Sequence, residues 1–248
     1  MYTSDHDKLF LSQLDDAMLL CERRQKPYFF PFLSERKQEV ARRYLDAAKF
    51  STYRFFGGCE ACERKQLGLY AYEEIETFPI TALEITFRKA DKLTHRDFLG
   101  ALMSLGIERD TIGDIMVEDG RAVVFVSADI SDYVSSQLFK IGNAGVRLSE
   151  ADAASLPKGR GFEEVSCVVS SLRLDNVVSA ITGLSREKSK NIILSGYVSL
   201  NHLPCGNPSK AVAENDVMSI RGKGKYIING VLGETKKHRI RISILHYR

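Results

Sequence analysis

No stretch of this 248-residue chain reaches about 18 consecutive apolar residues, so no membrane-spanning helix is expected. The segment MYTSDHDKLF has two Asp and no apolar core, which argues against a secretory signal peptide. Cysteine is sparse: five residues, an odd number, without a regular framework. That usage fits a reducing cytosol better than secretion, so the expected location is cytoplasmic. Cys59-Glu-Ala-Cys62 has the spacing of a zinc knuckle, but a structural zinc site needs a second pair. Cys21, Cys167 and Cys205 are isolated, and His202 with Cys205 makes only a loose H-x-x-C. Neither zinc nor redox chemistry is expected, and Cys59 and Cys62 read as buried or incidental hairpin cysteines. The five histidines are scattered and form no triad or acid–base pair. Gly57-Gly58 and R-G-K-G-K are tight glycine clusters, in the wrong context for a cofactor loop after a strand. The aromatic signature of base-stacking RNA-recognition sheets is missing too, so Phe87 and Phe125 read as core. No metal, no cofactor and no catalysis are expected.

What is present is length, ordinary apolar content and an uneven charge. A chain of this size has room for two or three small domains, and 44% hydrophobic residues suffice to build their cores. The net charge of +3 conceals an asymmetry. Residues 171–248 hold 13 Lys/Arg against 5 Asp/Glu, a net +8; the other 170 residues hold 22 against 27, a net −5. A compact basic domain on a mildly acidic body points to a polyanion partner.

The most specific pattern lies in residues 172–201, LRLDNVVSAITGLSREKSKNIILSGYVSLN. Leu174, Val177, Val178 and Ile181 have helical spacing, and Gly183 ends that helix. Ser185 is a good N-cap for a second helix and Gly196 a good stop. Arg186, Lys188 and Lys190 lie between them, with Glu187 the only acid. A strand-like Y-V-S-L follows. The order is helix, tight turn, basic helix, turn, strand. These residues resemble the S4 RNA-binding domain: R-L-D at Arg173–Asp175, S-R at Ser185 and Arg186, then G-x-V-x-L-N at Gly196, Val198, Leu200 and Asn201. His202 departs from the Gly that many members have after the Asn.

Taken in order, residues 5 to about 25 read as a helix with Leu9, Phe10, Leu14, Met18 and Leu19 on one side. Pro27 and Pro31 bracket an aromatic link, and Ser34 caps a second, basic helix. T-Y-R-F-F-G-G and L-G-L-Y-A-Y read as two strands. This segment, 1–77, resembles the N-terminal part of bacterial YlmH-type proteins, through Phe32, Leu33, Gly57, Gly58, Glu63, Arg64 and Lys65. It departs at Glu35, two positions after Leu33, and at Cys62, where a small residue is common. Residues 78–150 read β-α-β-β-α-β, the ferredoxin-like order, with a hairpin turn at Asp119-Gly120 and a helix over 129–141. Residues 151–163 are the expected linker and 164–248 the S4-type domain. The fold class is therefore α+β: a small N-terminal α/β-hairpin domain, a ferredoxin-like middle domain and a C-terminal S4 RNA-binding domain.

The expected RNA contacts are Arg173, Ser185, Arg186, Lys188, Ser189, Lys190, Asn191, Asn201, Arg221, Lys223 and Lys225. Arg186 and Lys190, four apart, share a helix face. Arg221, Lys223 and Lys225 alternate, which places them on one face of an extended segment, with Gly222 and Gly224 leaving room for backbone to approach nucleic acid. Arg173 fits a phosphate contact or an internal pair with Asp175 or Glu187; Asp175 fits a cap of the first helix. Backbone and shape, not sequence, would be read. Resemblance to the YlmH family across essentially the whole chain implies a non-enzymatic bacterial protein that binds tRNA and large-subunit rRNA. It also implies association with the large ribosomal subunit, in rescue and quality control of stalled subunits, with a quality-control protein partner. No membrane is involved, and the protein is expected as a monomer. The alternative is an RNA-modifying enzyme or its specificity subunit, since R-L-D is similar to the motif of pseudouridine synthases, whose Asp is the nucleophile. Only 73 residues follow Asp175, too few for a synthase body. A third reading is a protein–protein adaptor.

Overall fold

The computed structural model describes residues 5–72, 74–152, 155–157 and 161–247, the side chains of 5 and 6 excepted. Residues 153, 154 and 158–160 of the expected linker lie outside them. The chain divides into two compact units, Met1–Gly159 and Arg160–Arg248.

In the first unit, α1 (Asp5–Arg24) is followed by β1 (Tyr28–Phe29), α2 (Glu35–Ala47), β2 (Tyr53–Phe56) and β3 (Gln66–Leu69). The strands form an antiparallel sheet in the order β1-β3-β2. The aromatic link is thus partly a strand: Tyr28 and Phe29 pair with Leu69 and Gly68. The buried line of α1 is Phe10, Leu14, Ala17 and Cys21. Leu9 and Leu19, expected on that face, are 62% and 51% exposed. Periodicity of 3.6 residues fits the observed line better than adjacent Leu–Phe and Met–Leu pairs do. Ser34 caps α2, its Oγ accepting from the Lys37 amide at 3.4 Å.

The unit continues with β4 (Ile80–Thr86), α3 (His95–Ser104), β5 (Ile112–Glu118), β6 (Arg121–Ser127), α4 (Ser131–Gln137), β7 (Lys140–Ile141), β8 (Ala144–Gly145) and β9 (Arg147–Glu150). The helix expected over 129–141 is shorter, and the two-strand pair β7–β8 occupies its C-terminal end. The four long strands are antiparallel in the order β5-β6-β4-β9. Glu118 pairs with Arg121 around Asp119-Gly120, and Gly120 takes φ 81°, a conformation that suits glycine.

Both faces of this sheet are covered. Leu83, Ile85, Val124 and Val126 face Phe98 and Leu102 of α3 and Val134 of α4. On the other face Met116, Val123 and Phe125 pack with Phe32 and Cys62 of the preceding segment. Phe125 is core, as expected. Gly58 sits at φ 97° against its ring, where a Cβ would overlap the aromatic carbons. Arg64 stitches the segment to β5: its guanidinium donates to the carbonyls of Ile112 (2.9 Å), Phe32 (2.9 Å) and Arg109 (3.2 Å). Burial pushes its pKa down to about 10. Asp114 accepts from the amides of Glu63 and Arg64; burial pushes its carboxyl up despite those bonds. Residues matched to the YlmH-type pattern thus hold architecture here. Cys59 and Cys62 are joined as a disulfide, which the expectation of incidental cysteines missed.

In the second unit come β10 (Phe162–Val169), α5 (Leu174–Thr182), α6 (Arg186–Leu194), β11 (Val198–Leu200), β12 (Leu203–Pro204), β13 (Val217–Ile220), β14 (Gly224–Glu234) and β15 (Ile240–Tyr247). β10 starts at Phe162, inside the segment expected as linker. The sheet order is β10-β15-β14-β13-β11-β12, with each neighbouring pair antiparallel. Leu174, Val177 and Val178 of α5 and Ile193 of α6 are buried against Val198, Met218, Ile220, Ile228, Ile242 and Ile244. The two helices therefore cover one sheet face. Among the described residues no helix is long and apolar enough to cross a membrane, and no cluster of side chains is fit to hold a metal.

Candidate nucleic-acid interface

The heads of α5 and α6 meet at Asp175, which has no exposed surface. Its carboxylate accepts from Arg173 Nε and Nη2 at 3.1 Å each, from Arg186 Nε at 3.2 Å and from the Asn176 amide at 3.0 Å. Arg173 occupies the N-cap position of α5, so Asp175 is not the cap; it lies in the first turn and holds two guanidinium groups. Burial by itself would raise its pKa, but the bonds from Arg173 and Arg186 prevail and keep it below the usual carboxylate range. Arg173 therefore takes the internal pair of its two readings, and its pKa is raised by that bond. Two cations against one anion leave a net positive surface, with side chains 38% and 53% exposed. The Leu174 amide donates to the Lys210 carbonyl and Arg173 bridges to Ala211, so Lys210 joins this corner. Its distance in sequence hid it.

Ser185 caps α6, accepting from the Lys188 amide at 3.3 Å. Lys188, Lys190 and Asn191 are exposed on the helix. Ser189 is fully buried, and its hydroxyl donates to the Ser185 carbonyl at 3.0 Å. It braces the cap and does not face a ligand. Asn201 is half-buried, and its side chain is taken up by bonds within the fold. Leu200 pairs with Leu203, so Asn201 and His202, at φ 50° and 64°, form a two-residue turn of the primed type. The Asn201 amide side chain accepts from the Val217 N–H (2.9 Å) and donates to Asp216 (2.8 Å). His202 takes a backbone conformation that suits Gly, which accounts for the glycine common there.

R-G-K-G-K is a turn, not an extended face. Ile220 pairs with Gly224, leaving Arg221, Gly222 and Lys223 as the loop, with Gly222 at φ 75° and Gly224 at φ 113°. Gly224 has a packing reason: a Cβ there would meet the His246 ring at 2.8 Å. Arg221 and Lys223 are exposed at the loop. The Arg221 amide donates to the Tyr197 carbonyl at 2.9 Å, which ties the loop to the C-terminal end of α6. Lys225 separates from them. Tyr226 beside it is buried on the helix-covered face, so Lys225 projects from the opposite face, 4.7 Å from the centre of the Tyr247 ring. Arg173, Arg186, Lys188, Lys190, Asn191, Arg221 and Lys223 thus remain as an exposed basic rim along the helices and the adjoining loop. Tyr197, absent from the expected set, lies within it with Arg221 5.4 Å above its ring.

By class this is a mixed α/β protein whose C-terminal unit presents a basic helix on a sheet, the build and charge that suit a polyanion. Residues 74–155 match the family described as "Putative RNA-binding domain in YlmH". "Ribosome-associated protein quality control protein P2" of Bacillus subtilis (strain 168) is 33% identical over 244 residues, 96% of this chain and 94% of that protein. "Cell division protein ylmH from Streptococcus pneumoniae" superposes with a TM-score of 0.56 at 22% identity, over 64% of this chain and 98% of that one, a likeness of fold. The chain belongs to the YlmH family.

Proposed function

We propose that this protein is a non-catalytic, cytoplasmic RNA-binding protein that engages folded RNA, tRNA and large-subunit rRNA, in rescue or quality control of stalled large ribosomal subunits. Residues 164–248, with the first two residues of β10 from Phe162, act as the S4 domain, after an N-terminal domain (1–77), a ferredoxin-like domain (78–150) and a linker from 151 that ends before β10. The observation that carries the reading is the Asp175 lock. It holds Arg173 and Arg186 at the head of a capped helix on which Lys190, four residues on, extends the Arg186 face, while Lys188 adds an exposed cation on the adjoining side. Cations held in place lose less freedom on pairing with phosphates. The name of the Bacillus subtilis relative supplies the ribosomal setting. The enzyme alternative is disfavoured on chemistry: a nucleophilic Asp must reach a substrate, and Asp175 is buried and engaged by three groups.

Co-sedimentation with large subunits from stalled ribosomes tests the proposal. Wild-type protein should travel with the subunits at physiological salt, and the double variant Arg186→Ala, Lys190→Ala should stay in the supernatant. Association unaffected by the double change would remove the basic helix from the interface. A new modified nucleoside in RNA incubated with the protein would restore the enzyme reading.

A further inference from the structure

The exposed line Arg186, Lys190, Leu194 on α6 repeats every four residues; the helix then stops at Ser195 and Gly196, and Tyr197 follows. Its chemistry changes along its length. Arg186 and Lys190 are cations; Leu194 is 64% and Tyr197 46% exposed. The Tyr197 backbone is anchored on both sides, its N–H donating to the Ile192 carbonyl at 3.0 Å and its carbonyl accepting from Arg221. The next residue, Val198, is fully buried. The Tyr197 backbone is therefore fixed at the start of β11, an interior strand of the sheet, with the Arg221 guanidinium 5.4 Å from the ring centre. An anchored, half-exposed aromatic ring backed by a cation, at the end of a phosphate-binding track, has the parts of a base-stacking site.

We propose that Tyr197 and Arg221 bind an unpaired RNA base, stacked on the ring, where the strand runs past the end of α6. The inference rests on the RNA-binding reading above and adds a preference that charge alone does not produce: paired bases stay in their stack, whereas an unpaired base is free to leave it. The full chain is tested against a blunt RNA hairpin and the same hairpin with an unpaired adenosine tail, at one fixed salt concentration. Wild type should favour the tailed probe by about tenfold. Tyr197→Ala should lose that preference and keep its affinity for the blunt probe, and Tyr197→Phe should keep both. Because the chain contains no tryptophan, Tyr197→Trp introduces a single indole. Its emission should be quenched by the tailed probe and not by the blunt one. Equal affinity of wild type for both probes, or a preference that survives Tyr197→Ala, overturns the inference alone. Wild-type protein that binds neither probe overturns the RNA-binding reading and the inference with it.

Discussion

Asp175 is fully buried, while the two arginines it bonds stay more than a third exposed. Removing the carboxylate leaves both guanidinium groups free to turn to water, so the loss is that of charge-assisted hydrogen bonds and not of a stranded charge. Asp175→Asn should therefore cost about 1–3 kcal/mol of stability at neutral pH, read by urea unfolding. The pH dependence follows from the lowered pKa. The unfolded carboxyl titrates near its ordinary value, about 3.9, and the folded one below it. The stabilisation is complete above that ordinary value and is lost as the pH falls through the folded value. The gap between wild type and Asp175→Asn should narrow in acid; a gap that stays constant would mean that the carboxylate charge contributes nothing. Asp175 was legible as a helix cap or as a partner of Arg173, but not as the shared anchor of two arginines. Its burial between two helix heads comes from the packing of α5 on α6, which no local pattern encodes.

At the scale of elements, α6 and its cap were readable because Ser185, the basic run and Gly196 are consecutive signals. R-G-K-G-K misled because alternation was read as extension. Two glycines at positive φ make a hairpin loop there, and the sharper signal was the glycines themselves. The N-terminal segment adds a second case. Gly58 has both a positive φ and no room for a side chain beside Phe125. Gly58→Ala should lower stability by at least about 2 kcal/mol through combined backbone strain and overpacking. Thermal unfolding of the first unit checks this; a variant as stable as wild type would show that Phe125 yields easily. The helix at 131–137 is expected from the sequence, but the expectation runs on to 141 because the two-residue strands β7 and β8 have no periodicity to signal its end.

At the scale of the molecule, charge is divided along the chain, net +8 over residues 171–248 and −5 over the rest. Binding through the basic unit should weaken steeply with salt. Removing Arg186 and Lys190 together should lower the slope of log K against log[salt] by about 2, one for each phosphate no longer neutralised. An unchanged slope in filter binding would mean that neither cation meets a phosphate. The four-stranded sheet of the first unit also matters here. Phe32 and Cys62 cover the face opposite α3 and α4, so that face is not a free platform for bases.

Amphipathic periodicity, caps, hairpin dipeptides and charge imbalance are local quantities. The sequence alone therefore determined the order of most long elements, the basic C-terminal unit and the recognisable R-L-D, S-R and G-x-V-x-L-N signature. Tertiary structure decided what depends on residues far apart in the chain. Arg186 joins Arg173 on Asp175 across two helices, Ser189 and Asn201 serve the fold, Lys225 leaves the rim, and Arg221 reaches Tyr197. Burial and the face to which a side chain points follow from which strands and helices become neighbours. That choice is made by the packing of the whole unit.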